Sequence, residues 1–410
     1  MATTLVPGDV DLTSPDTFVP GVPHDYFRMM RNEHPIWYQD LGDGYGYWHL
    51  FKHGDIQRVS RDPARFISSR GFTMGQERMA DQQNAPESSK LLIETDPPRH
   101  VKLRNLINKG FTPRRIATLE DHIREIARDI VNDVCEKGEV DFVEEIAAML
   151  PLAVICEMLD VPKSDWKQMF DASNRAIGGA DPEYAAGAEG DPASQMFLFG
   201  YFTQIMARKK ENPGDDLVSV LINAEIDGEK LTDEEILRFC FLLIIAGNET
   251  TRNATSHGML TLMQHPEQRE RLTKDLSLIP SAVEEILRWG SPVMHFIRTA
   301  TEDVEIRGET VKAGQRVSMW YPSANRDEEV FEDPYTFDIT RSPNDHIAFG
   351  YGEHFCLGAN LARSELRIIF EELLRRLPDI ELTGEPSRLR SNLISGIKHM
   401  PVKFTPTAKV

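Results

Sequence analysis

The chain has 410 residues, 40% of them hydrophobic and 27% charged, proportions that suit a globular protein with a large core. Lys and Arg number 46 against 65 Asp and Glu, a formal net charge of -19. That balance excludes a general nucleic-acid binder, which needs a basic surface to neutralise phosphates, and leaves room only for a local basic patch.

Residues 1–21 are polar, acidic and Pro-containing, without the basic and apolar regions of a signal peptide. No apolar run approaches the roughly 20 residues that a spanning helix needs. The expected setting is therefore the cytoplasm, with no membrane span. Short strand-like runs such as residues 45–51 fall in the first fifth of the chain. Residues 71–98, rich in Gly, Gln and Ser, read as a long mobile loop, and long loops in compact proteins often act as lids. The pattern over residues 100–180 is mostly helical. A second soft region, residues 181–194, holds Gly187, Gly190 and two Asp-Pro pairs.

The clearest helix covers residues 232–264, roughly 50 Å at 1.5 Å per residue. Thr232 and Glu235 fit a capping box with Leu231 as its staple, and His265-Pro266 ends it. Residues 239–246 are apolar on every face, which marks a buried segment. Polarity then breaks in with Gly247, Asn248, Glu249, Thr250 and Thr251. After Pro292 the residues alternate like strands at 304–306, 310–311 and 316–320, and helix returns over 358–376. The expected fold is mainly α with a smaller β portion, in one domain over residues 1–410. Cys135, Cys156 and Cys240 lie in apolar helical stretches and read as small buried hydrophobes. No disulfide framework is visible.

The fourth cysteine stands apart, in Phe349-Gly350-Tyr351-Gly352-Glu353-His354-Phe355-Cys356-Leu357-Gly358. The alternate glycines let the backbone approach something flat and close. Cys356 precedes a helix whose free N–H groups and dipole favour a thiolate. A zinc site needs about four Cys or His ligands, and only His354 and Cys356 lie close together. Upstream, Glu285 and Arg288 share a helix face at i, i+3. That spacing alone proves nothing, because it recurs at Glu125, Glu235, Glu249, Glu372 and Glu385. Pro97 and Pro98 suit a helix start that places His100 and Arg104 on one face at i, i+4.

The F-x-x-G-x-H-x-C-x-G pattern resembles the haem-binding loop of the cytochrome P-450 superfamily. So, in order, do His100 with Arg104, Ala246-Gly247-Asn248-Glu249-Thr250-Thr251, Glu285 with Arg288, and Arg341 in Phe337-Asp338-Ile339-Thr340-Arg341. The resemblance implies a P-450 fold with a long central helix and a loop that carries the cysteine ligand. It implies haem b, with Cys356 as the iron ligand, a ligation that favours O–O cleavage. Cofactor contacts would come from His100, Arg104, Ala246, Arg298, Phe349, Gly350, His354 and Gly358, the cations among them serving the haem carboxylates. Glu285, Arg288 and Arg341 would form a structural triad. Thr250 would hold bound oxygen and its water, with Glu249 relaying protons, so that one atom of O2 enters an unactivated C–H bond.

Ala246 to Asn253 and Ser395-Gly396-Ile397-Lys398-His399 look like bacterial steroid side-chain, methyl-branched lipid and terpineol hydroxylases. They imply a bulky apolar substrate. By family analogy its pocket is lined by residues 71–92, the Ala180 region, Leu242, Ile245, Ala246, Val293, Met294, Phe296 and Ile394. No flavin or iron–sulfur module is visible, so electrons from NAD(P)H would arrive through a reductase and a separate ferredoxin. Lys102, Lys109, Arg114 and Arg115 offer a basic face for it. A peroxide-driven peroxygenase shares the cysteine but tends to lack the Glu249-Thr250 pair. A non-catalytic haem sensor would leave that pair unexplained.

Overall fold

A computed structural model of the chain describes residues 5–75, 90–108, 110–184, 191–226 and 228–410. Residues 76–89 of the expected 71–98 loop, residues 185–190 of the 181–194 soft region and Lys109 lie outside the described residues.

The longer helices are α1 (His24–Glu33), α2 (His53–Ser60), α3 (Arg99–Asn108), α4 (Glu120–Val134), α5 (Met149–Met158), α6 (Trp166–Ile177), α7 (Pro192–Glu211), α8 (Asp233–Gln264), α9 (Pro266–Lys274), α10 (Ile279–Gly290) and α11 (Ala359–Arg376). Strands β1 (Ile36–Asp40), β2 (Gly46–Leu50), β3 (Phe66–Ile67), β4 (Glu139–Asp141), β5 (His295–Ala300), β6 (Val304–Ile306), β7 (Glu309–Val311) and β8 (Arg316–Trp320) precede α11. After it come β9 (Glu381–Leu382), β10 (Ser387–Arg388), β11 (Ile397–His399) and β12 (Pro401–Lys403). The main sheet runs β1-β2-β8-β5-β3. Its one parallel pair is β2 with β8, and the others are antiparallel. The mainly α architecture with a smaller β portion is as expected, and no described helix is long and apolar enough to cross a membrane.

Helix α8 is the axis of the molecule. Thr232 caps it, accepting from the Glu235 amide at 3.2 Å while Glu235 accepts from the Thr232 amide at 2.8 Å. The predicted capping box is therefore closed. Its 32 residues pack against α5, α6, α7, α10 and α11. Gly258 sits where α8 crosses α10 and α11. A Cβ there would meet Phe370 at 2.5 Å and Ile286 at 2.8 Å, so this crossing requires glycine. Cys135, Cys156 and Cys240 are buried in the helical core.

Candidate active site

The loop before α11 is held by its own backbone. The Cys356 amide donates to the Phe349 carbonyl at 2.9 Å, and the Gly350 amide donates to the Ile347 carbonyl at 2.9 Å. Gly350 and Gly352 have φ of +73° and +70°, a region that L side chains avoid. The close approach at Gly352 is to the chain itself, since a Cβ there would collide with the Ser60 carbonyl. The loop is thereby seated on the end of α2. Gly358 caps α11, and the space where its Cβ would stand is open. Burial pushes the Cys356 thiol up, against the Gly358 N–H, Arg104 and Arg363, which favour the thiolate. A cation bound at Sγ would tip this balance to the thiolate.

Cys356 opens onto a cavity whose lining brings the predicted motifs together. His100, Arg104, Ala246, Thr250, Phe349, Gly350, His354 and Gly358 all line it. Arg298 does not line it; it is buried, near enough to His354 for its charge to act there, and donates to the neighbouring Ile297 carbonyl at 2.7 Å. Among the described residues no carboxylate forms a salt bridge with it. Burial lowers the pKa of Arg298 and of His100. The Nδ1 atom of His100 has no hydrogen-bond partner. His354 is held down to about 2 by burial and by the charges of Arg298, His100 and Arg104. Its ring packs on that of His100 at 4.2 Å. Two arginines and two histidines thus converge on one end of an apolar cavity, where the part-exposed Glu353, 3.7 Å from His100, is the carboxylate that reaches them among the described residues. This excess of basic groups fits the two carboxylates of a haem lying against Cys356. Arg104 also braces the loop, donating to the Glu353 and Phe355 carbonyls at 3.2 and 2.5 Å.

Behind the loop, Glu285 takes the Arg288 guanidinium side-on, at 2.7 and 2.8 Å. Arg341 Nε reaches the same carboxylate at 3.2 Å, and the Asp338 amide and Asn344 complete its shell. Arg288 spends its remaining donors on the carbonyls of Asn325, Pro334 and Thr336. The three residues meet in the structure, and they tie α10 to the segment that leads into the cysteine loop.

The polar stretch of α8 has a physical reason. The helix is one continuous α-helix from Asp233 to Gln264, and Thr250 Oγ1 donates back to the Ala246 carbonyl at 2.8 Å, a bond helical threonines make readily. Asn248 donates to Ser173 of α6. Glu249 is fully buried and accepts from Arg252 at 2.6 Å, and Arg252 also donates to Asn174 of α6 at 2.6 Å. Burial raises the Glu249 pKa, with Arg252 opposing. The polar residues therefore face α6 on one side and, through Thr250 and Thr251, the cavity on the other.

The cavity also has an apolar wall, formed by Leu92, Ile93, Leu242, Leu243, Val293 and Phe296. Three expected pocket residues do not line this cavity. At about 100° per residue, the cavity-facing residues of α8 cover an arc of about half a turn, and Ile245 falls outside it. Met294 follows Val293 in extended backbone and so faces the opposite way. It is 1% exposed and packs with Leu12, Phe18 and Trp320. Ile394 closes a separate small cavity with Met294, Phe18 and Val22. The Ala180 region also lies off the cavity, its carbonyl engaged by Arg390. Of residues 71–92, only Leu92 lines it among the described residues.

One carboxylate of the lining is missing from the sequence reading. Glu365 of α11 is buried against the cavity, and burial pushes its pKa up to about 8, against the Thr251 side chain, which favours the carboxylate. Its signal is a carboxylate in the apolar phase of a helix, between Leu361, Leu366 and Ile369.

The cytochrome P450 family description matches residues 192–395. A methyl-branched lipid omega-hydroxylase of Mycobacterium tuberculosis is 42% identical over 393 residues, covering 92% of this chain and 90% of that protein. A steroid C26-monooxygenase of Mycolicibacterium smegmatis is 42% identical over 418 residues, covering 100% and 97%. A Mycobacterium marinum cytochrome P450 solved in complex with pseudoionone superposes with a TM-score of 0.88 at 38% identity, over 98% of this chain and 100% of that one.

Proposed function

This chain belongs to the cytochrome P450 family, and from that premise we propose that it is a monooxygenase that hydroxylates an unactivated carbon of a bulky apolar lipid with a branched or steroid skeleton. The observation that carries this reading is the cavity itself, with Cys356, His100, Arg104 and His354 at one end and an apolar wall at the other. The related hydroxylases act, by their names, on methyl-branched lipids and steroids, and this wall offers such substrates burial without polar partners. Haem b, bound by Cys356 and by the cluster of Arg104, Arg298, His100 and His354, supplies the activation of O2.

The chain's own residues supply protons and exclude water. Thr250 Oγ1 is the cavity-facing hydroxyl that passes a proton inward, and Glu249 is the acid that resupplies it. Burial raises the Glu249 pKa against the opposing charge of Arg252, which favours the protonated form that a proton donor needs. Glu365, also raised, reaches the cavity through Thr251 and is a second proton reserve. Glu249→Gln is expected to lower product formation by about 10²-fold, and Thr250→Ala to divert NAD(P)H consumption from product to peroxide or water. Unchanged coupling in Thr250→Ala would contradict its role. Electrons come from a separate ferredoxin and its NAD(P)H-dependent reductase in the cytoplasm. Lys102, Arg114 and Arg115 give an exposed basic face for docking. Turnover with peroxide and none with ferredoxin would favour the peroxygenase reading.

Substrate class is tested by titrating the ferric holoprotein with cholestenone, branched fatty acids and monoterpenes while following the Soret band. A low-spin to high-spin shift with sterols or branched lipids is expected. A shift confined to monoterpenes would contradict the assignment.

A further inference from the structure

Two carboxylates of the turn after α6 are tied to strand β11. Lys398 of β11 reaches Asp181 at 3.0 Å and Glu183 at 2.7 Å. The Lys398 and Asp181 side chains are 11% and 2% exposed, so this is an interior ion pair, of a kind whose disruption is costly. His399 reaches Glu183 at 2.7 Å with Nε2, and Asp141 at 3.2 Å and Glu144 at 3.7 Å with Nδ1. Arg390 adds two bonds from its backbone amide and guanidinium, to Asp181 and to the Ala180 carbonyl, at 2.8 and 2.5 Å.

The clamp sits beside the buried acid. The Ile397 amide, next to Lys398, donates to Asn253 of α8 at 3.0 Å, and Asn253 donates to the Glu249 carbonyl at 2.9 Å. Tyr184, at the far end of the turn, is close enough to Arg252 and Glu249 to feel both charges, and Lys398 lies 5.9 Å from its ring centre. Strand β11 therefore holds both the turn, through Lys398, and the helix that carries the Glu249–Arg252 pair, through Asn253. His399 and Glu183, partly exposed, form its outer edge.

We propose that Lys398 and His399 are positioning residues that clamp the 178–184 turn over Glu249 and thereby control solvent access to this acid. The proposal rests on the reading of Glu249 as the proton-relay acid. The clamp has a pH window. Burial opposes the His399 imidazolium, but the bond and charge of Glu183, with Asp141 and Glu144, outweigh it and raise the pKa. The Asp181 and Glu183 pKa values are lowered despite burial, by Lys398 and, for Asp181, by the Arg390 and Glu183 amides. The His399 contribution is thus present below its raised pKa and fades as pH rises through it. The carboxylate contribution fades only in acid, below the ordinary carboxylate range.

Lys398→Met, His399→Gln and Lys398→Arg holoproteins are compared by amide hydrogen exchange of Asp181, Glu183 and Tyr184 and by the solvent deuterium isotope effect on turnover. Lys398→Met is expected to speed exchange at these amides at least tenfold and to change the isotope effect. Lys398→Arg is expected to restore both. His399→Gln is expected to remove the step in exchange that follows the His399 titration. Unchanged exchange in Lys398→Met would overturn the clamp whatever Glu249 does. Faster exchange with an unchanged isotope effect would overturn its link to the acid. Full turnover in Glu249→Gln would instead overturn the reading of the acid, and leaves the exchange result unaffected.

Discussion

Cys356→Ala is expected to fold and to form no hydroxylated product. The loop around Cys356 is held by backbone bonds from the Cys356 and Gly350 amides and by Arg104 on the Glu353 and Phe355 carbonyls. None of these uses the sulfur. The substitution removes a side chain that faces a cavity, so unfolding by urea should shift by less than about 1 kcal/mol in the apoprotein, within the range of ordinary substitutions. Near-UV circular dichroism and product analysis together check the claim. Product formed at even a tenth of the wild-type rate would contradict Cys356 as the ligand.

Glu285→Ala is expected to cost about 3–5 kcal/mol of stability, because it leaves the buried Arg288 charge without its partner. Both side chains are 0% exposed, so water cannot replace the carboxylate. Arg341 loses the same partner, and with it goes the tie between α10 and the segment before the cysteine loop. The effect should therefore appear twice, in urea unfolding and in loss of retained haem. A cost under about 1 kcal/mol, the range of an exposed ion pair, would show that this charge cluster does not hold the loop.

The features legible in the sequence are those set by local chemistry. The capping box at Thr232 and Glu235 reads directly, because both partners lie within one turn. The cysteine loop reads because left-handed positions at Gly350 and Gly352 leave a sequence signature. What the pattern does not disclose is which neighbour requires each glycine, and Gly352 answers to the Ser60 carbonyl. Side-chain direction is a tertiary property and is legible only in part. Val293 and Phe296 line the cavity, while Met294 and Ile394 serve the cluster beneath the N-terminal segment. The E-x-x-R spacing at Glu249 carries no information by itself, yet α6 buries that pair and supplies Asn174 to hold it. Glu365 is the reverse case, a single residue out of character with its helix face, whose partner Thr251 lies on another element.

The functional reading stands or falls on a Cys356 thiolate that holds haem iron in this cavity. The absorption spectrum of the reduced holoprotein under carbon monoxide, recorded for wild type and Cys356→Ala, tests it. The expected result is the strongly red-shifted Soret band of thiolate ligation in the wild type and its absence in the variant. A wild-type band at the position of a neutral or imidazole ligand, unchanged in the variant, would contradict ligation by Cys356.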